Sequence, residues 1–171
     1  MKKLFLLVLI GFFLVQMACT RGDEARLQKI LSSNKPPVGV VFEIASGDGD
    51  GLKWAIPMVQ SYAKQLREKF PGIELAVVSH GEELFQLTRD NRPYFAETHR
   101  QVQSLVEDQS IEVHVCGNYA ASSGVSEDEF VDYVDVAERG PVQVRAYINA
   151  GYELLFIRQP AEQINISERR Q

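Results

Sequence analysis

Residues 38–79 read VGVVFEIA (38–45), SGDGDG (46–51), LKWAIPMVQSYAKQLREKF (52–70), PG (71–72) and IELAVVS (73–79). Val38 to Ala45 is apolar almost throughout, interrupted only by Gly39 and Glu43, as in a strand covered on both faces. In the next segment Ala55, Val59, Ala63, Leu66 and Phe70 recur every three or four residues with Lys64, Arg67 and Lys69 between them, the stripe of an amphipathic helix. Proline is tolerated only in a first turn, so Pro57 predicts a helix start between Lys53 and Ile56, and Pro71-Gly72 ends the helix. Ile73 to Ser79 is a second apolar run. A strand, a helix and a strand in this order form a parallel pair.

Outward from this unit the alternation continues. His80 to Phe85 forms a junction, and a second helix is predicted from Phe95 to Asp108, with Phe95, Thr98, Val102, Leu105 and Val106 facing the sheet. Ile111 to Cys116 reads as the third strand. Ser126 and Glu129 have the spacing of a capping box for a short helix. Tyr133 to Val136 is a brief strand, Pro141 opens a last helix, Gly151 closes it, and Tyr152 to Ile157 is the final strand. The expected fold is α/β: three layers, α/β/α, around a mainly parallel sheet of about five strands. Ligands of such sheets collect at the carboxyl ends of the strands. The loops after Ala45, Ser79 and Val115 then share one edge, which makes Asp48, His80 and Cys116 candidates for a single site.

The amino end is set apart. Lys2 and Lys3 precede an apolar run from Leu4 to Val15, too short for a comfortable transmembrane span, and residues 1–18 are read as an export signal. Cys19 directly after Ala18 resembles the lipobox of bacterial lipoproteins, which makes Cys19 the candidate lipidation site and membrane anchor. Gln16 stands where an aliphatic residue is usual, so plain cleavage to a soluble periplasmic protein is the open alternative. Residues 19–37 are polar, end in Pro36-Pro37 and read as a tether with a helical turn around Leu27 to Leu31. The domain is expected over 38–158, with a tail at 159–171.

The chain of 171 residues carries a net charge of −5, and the export signal removes lysines but no acid. Such an acidic domain is a poor nucleic-acid binder. Its two cysteines are Cys19 and Cys116, so Cys116 is alone in the mature chain. In an oxidising compartment a solitary thiol is either buried and inert or reactive toward a partner outside the chain.

Cys116 ends a strand and Gly117-Asn118-Tyr119 can start a helix at once. Bare N–H groups and the positive helix end stabilise a thiolate there, and Gly117 lets a substrate approach the backbone. A buried structural cysteine is the competing account. His80, at the end of the neighbouring strand, is a candidate base or donor to sulfur, with a capping histidine as its alternative. His99 is placed on the polar side of its helix and read as solvated, and His114 as packed beneath a helix. Asp48 and Asp50 begin a calcium-loop pattern that no later acid completes. They also repel phosphate, so loop 46–51 is read as a flexible turn at the site edge.

Val40-Val41-Phe42 before a Gly/Asp loop and long helix, Val77-Val78-Ser79-His80-Gly81 followed by Leu84 and Leu87, Val113-His114-Val115-Cys116-Gly117-Asn118, and Gly151-Tyr152 before a last strand together resemble the DsrE/DsrF-like family of sulfur-metabolism proteins. The resemblance spans about Val38 to Ile157. It implies a three-layer domain, flavodoxin-like in general architecture, that assembles as a homotrimer or hexamer. It also implies Cys116 as the persulfide carrier, with His80 assisting, Gly117, Asn118, Asp48 and Gly81 at the substrate, and no metal or organic cofactor. The partners implied are a sulfur donor and acceptor thiols. Sulfur-relay members act on cytoplasmic partners, whereas this chain carries an export signal. A non-catalytic oligomeric binding module is the reading from another class, and a flavin-binding protein a third, against which Asp48 and Asp50 count.

Overall fold

The five strands of the sheet are all parallel, in the order β4-β3-β2-β1-β5. They are β1 (Gly39–Ile44), β2 (Glu74–Ser79), β3 (Glu112–Cys116), β4 (Asp135–Ala137) and β5 (Tyr152–Ile157). Among the described residues five α-helices accompany them: α1 (Gly22–Leu31), α2 (Gly51–Lys69), α3 (Ala96–Glu107), α4 (Gly117–Ser122) and α5 (Gly140–Asn149). This is a computed structural model, and it describes residues 22–159. The export signal, Cys19 and the tail beyond Gln159 lie outside the described residues.

Chain order explains the layers. The strands step outward from β1 through β2 and β3 to β4, then α5 carries the chain back to β5 on the far side of β1. Right-handed crossovers in opposite directions put their helices on opposite faces. One face is therefore covered by α1, α2 and α3, whose Leu27, Ala55, Val59, Leu66, Val102 and Leu105 close over Val40, Phe42, Ile44, Val77 and Val113. The other face carries α5 alone, with Val144 and Tyr147 over Val41, Ala76 and Val78.

Three expectations change. The segment read as a tether contains a ten-residue helix, α1, whose Leu27 is wholly buried and Ile30 nearly so. Its Asp23 pairs with Arg158 beyond β5 at 3.2 Å, so residues 22–31 are part of the domain. Helix α2 starts at Gly51 and keeps Pro57 inside it. Pro57 is exposed, so the carbonyl it leaves without a donor can be hydrated, while Leu52, Ala55 and Ile56 are buried on the opposite side. Burial of that first turn outweighs the lost hydrogen bond. His99 is 2 % exposed, not solvated. Its Nε2–H donates to the Gln86 carbonyl at 2.7 Å, and Nδ1 accepts from the Tyr133 hydroxyl at 2.5 Å. Both ring nitrogens are thus satisfied by a neutral imidazole, which is what permits burial. His114 is packed under α5 as expected, donating to the Tyr147 hydroxyl at 2.7 Å.

Candidate functional site

The carboxyl edge of the sheet is built by loops that hold one another. Ile44 accepts the His80 N–H at 3.0 Å and Ser46 accepts the Glu82 N–H at 2.8 Å, which ties the loop after β1 to the loop after β2. Glu83 locks the pair. It is fully buried, and its carboxylate accepts the Ser46 N–H at 2.7 Å, the Ser79 hydroxyl at 2.7 Å and the Gly81 N–H at 3.0 Å. A buried carboxylate with three donors is stable where an unpaired one is not. Gly81 has a matching role, because a Cβ there would lie 2.3 Å from the Ser46 carbonyl oxygen. It lets two loops touch; no substrate is needed to account for it.

Cys116 is the last residue of β3 and the N-cap of α4, and it is 4 % exposed. Its Sγ accepts the Tyr119 N–H at 3.4 Å. Among the described residues it is the free cysteine. The Asn118 N–H, expected to steady the sulfur, is donated instead to the Glu138 carbonyl at 2.9 Å, because the chain continues its pairing with the segment after β4. Gly117 packs against Val136, where a Cβ would come within 3.0 Å of a methyl carbon.

His80 is beside this cysteine. Gly140, the first residue of α5, touches both, since a Cβ on it would lie 2.5 Å from His80 Cβ and 3.3 Å from Cys116 Cβ. Two residues 36 apart in sequence are therefore neighbours under one helix end. The His80 Nε2–H donates to Glu43 Oε1 at 2.8 Å, and these side chains are only 16 % and 13 % exposed. The Glu43 hydrogen bond raises the His80 pKa above its ordinary value, burial opposes it, and the charges of Glu43 and Glu83 add to the rise. The imidazolium is accordingly stabilised relative to that of a free histidine.

Asp48 stands apart. Its carboxylate accepts the Asp50 N–H at 2.9 Å, and it lines a hollow with Lys53, Trp54, Met58 and Tyr62 on the outer side of α2. Asp50 pairs with Lys53 at 2.9 Å. The structure thus brings His80, Cys116 and Gly117 to one spot and turns Asp48 elsewhere. Glu43 and Gly140 were missed. Glu43 had a signal, because a charge inside a strand covered on both faces must find a partner. Gly140 had only its place before Pro141.

The model of the DsrE/DsrF-like family matches residues 29–157. The chain belongs to that family. Membership suggests a sulfur-related role. Two solved structures share the fold: a protein of unknown function, MTH1491, from Methanobacterium thermoautotrophicum, at 20 % identity and TM-score 0.54, covering 68 % of this chain and 96 % of that one, and the ychN protein from E. coli, at 14 % identity and TM-score 0.50, covering 69 % and 98 %. None of the curated proteins matches the chain.

Proposed function

We propose that this protein carries sulfur as a persulfide on Cys116 and passes it from a sulfane donor to an acceptor thiol. The observation that carries the reading is that Cys116, with a backbone N–H on its sulfur, and His80 lie side by side against Gly140 at the carboxyl edge of the sheet. A thiol at a strand end with a helix starting on it and a titratable group beside it fits the surroundings of a reactive cysteine. The reading of residues 1–18 as an export signal and of Cys19 as an acylated anchor supports an activity outside the cytoplasm, and the family resemblance supports a homo-oligomer. Val142 and Ile148 on α5, 56 % and 42 % exposed, supply apolar surface that a subunit contact would cover.

One observation favours the second reading, a binding module with a structural cysteine: Cys116 is 4 % exposed. Incubation of the purified protein with polysulfide, followed by intact-mass analysis, separates the two. Gain of one sulfur that Cys116→Ser abolishes is the expected result. An unchanged mass, together with a thiol that reagents do not reach in the folded protein, would favour the binding module.

A further inference from the structure

We infer that Glu43 is a positioning residue for His80, so that Glu43, His80 and Cys116 work as one row in moving the thiol proton during sulfur transfer. The inference rests on the carrier reading for the identity of the reaction, while the row itself stands on geometry.

Strands β1, β2 and β3 are adjacent, with Glu43 level with Val78 and Val78 level with His114. Side chains alternate along a strand. By this alternation Val41 and Glu43, Val78 and His80, His114 and Cys116 point to the side of α5, where Val41 and Val78 pack, while Cys116 at its strand end also packs with the core of the other face. Cys116 is the last residue of β3, His80 follows the last residue of β2, and Glu43 precedes the last residue of β1. The three side chains thus form a bent row: His80 and Cys116 stand level at the carboxyl edge, Glu43 lies one side-chain pair back on β1 and reaches His80 diagonally, and Gly140 of α5 closes over His80 and Cys116.

Glu43 is out of character for its position. It lies near the end of β1, a strand paired on both sides, among residues that are otherwise fully buried. Holding a carboxylate there costs desolvation that a leucine or a neutral amide of similar size would not. What the charge does provide is a fixed partner for one ring nitrogen of His80. With Nε2–H committed to Glu43, the ring cannot rotate freely, and Nδ1, beside the residue's own backbone, is the nitrogen through which a proton can be exchanged. The groups facing His80 are Glu43 from β1, Glu83 from the 3₁₀ turn Glu82–Leu87, and Cys116 from β3. Helix α5 contributes uncharged Gly140, preceded by Glu138 and Arg139, which are exposed and pair with each other.

The step balances without an oxidant or a cofactor. The neutral ring of His80 takes the Cys116 proton and becomes the imidazolium that Glu43 stabilises, and the thiolate attacks the outer sulfur of a persulfide donor. The donor S–S bond breaks, the Cys116 S–S bond forms, and the departing thiolate takes the proton back from His80. One thiol and one persulfide give one persulfide and one thiol.

The test compares wild type, Glu43→Gln, His80→Ala and the double variant. Two rates are followed across neutral pH: sulfur loading from polysulfide by intact mass, and alkylation of Cys116 by iodoacetamide. Glu43→Gln is expected to slow loading by about tenfold or more and to move the neutral-range inflection of the alkylation profile to lower pH. The double variant is expected to match His80→Ala alone, because Glu43 acts through His80. A Glu43→Gln profile identical to wild type, or an equal effect of Glu43→Gln with and without His80, would overturn the assignment. If wild type shows the Glu43-dependent inflection but gains no sulfur, the carrier reading falls and the positioning role stands. Should a variant fail to fold, NMR titration of His80 in wild type before and after alkylation of Cys116 decides the matter. A displaced titration supports the row, and superimposable curves refute it.

Discussion

The two faces of the sheet differ in what they ask of their side chains. Under α1, α2 and α3 the packing is large and apolar, built on Phe42, Leu66, Leu105 and their neighbours at 0 % exposure. Its one histidine, His99, is neutral and fully bonded. Under α5 the apolar set is small, Val41, Ala76, Val78, Val144 and Tyr147, and polar groups surround it. His114, Tyr147 and Glu112 bond one another at the amino edge, and Glu43, His80 and Cys116 occupy the carboxyl edge. Stability and reactivity are thus divided between faces: one holds the fold, and the other holds charges and a thiol at the fold's expense.

The largest effect should come from breaking the first face. Phe42→Ala removes a fully buried ring and is expected to cost about 3–5 kcal/mol, whereas Val144→Ala under α5 should cost about 1.5 kcal/mol for two methyl groups. Urea denaturation at fixed pH measures both, with unchanged slopes if the unfolded state is unaffected. Equal losses would show that α5 is as deep a core as the other face. The alkylation rate of Cys116 in the still-folded fraction should be the same in Phe42→Ala as in wild type.

Gly140→Ala sharpens the division, because it strikes the second face at the thiol. The new methyl would meet His80 Cβ at 2.5 Å and Cys116 Cβ at 3.3 Å, so helix α5 or His80 must shift. The expected cost is about 1–3 kcal/mol, less than that of Phe42→Ala, but with a changed rate of Cys116 alkylation. A loss of stability without any change in thiol reactivity would mean that Gly140 is a packing residue only.

How much of this was legible in the sequence follows the same division. Periodic apolar patterns announce elements that pack on a broad face, which is why β1, α2, α3 and the parallel sheet could be read from residues 38–116. The pattern of α1 was too short to distinguish a helix from a tether; its docking depends on Leu27 and Ile30 finding α2 and β5, which are distant in sequence. His99 was misread because helical periodicity says which residues face the sheet but not which polar ones find partners. Its partners, Gln86 and Tyr133, come from other segments. At the site, Cys116 and His80 were visible as strand-end residues, since topology alone brings strand ends together. Glu43 was visible only as an anomaly, and nothing local pointed to Gly140, whose contacts are made 60 and 24 residues away.

The smallest effect is the one that sets the two histidines against each other. His80 has a raised pKa because Glu43 binds its charged form, so its contribution to stability is complete below the ordinary value of 6.5 and disappears as pH rises through the higher folded value. His99 has a lowered pKa because burial disfavours its charged form; its neutral state is favoured above 6.5, and stability falls as pH drops from there through the lower folded value. Wild type should therefore lose stability on both sides of the histidine range, for a different reason on each. Glu43→Gln should flatten the alkaline side and leave the acid side as it was. His99→Gln should do the reverse, at some cost in overall stability from the altered packing. Urea midpoints across neutral pH read both slopes in one series. If Glu43→Gln leaves the alkaline slope intact, His80 and Glu43 do not share a proton-dependent bond in solution, and the charged edge of the second face loses its central pair.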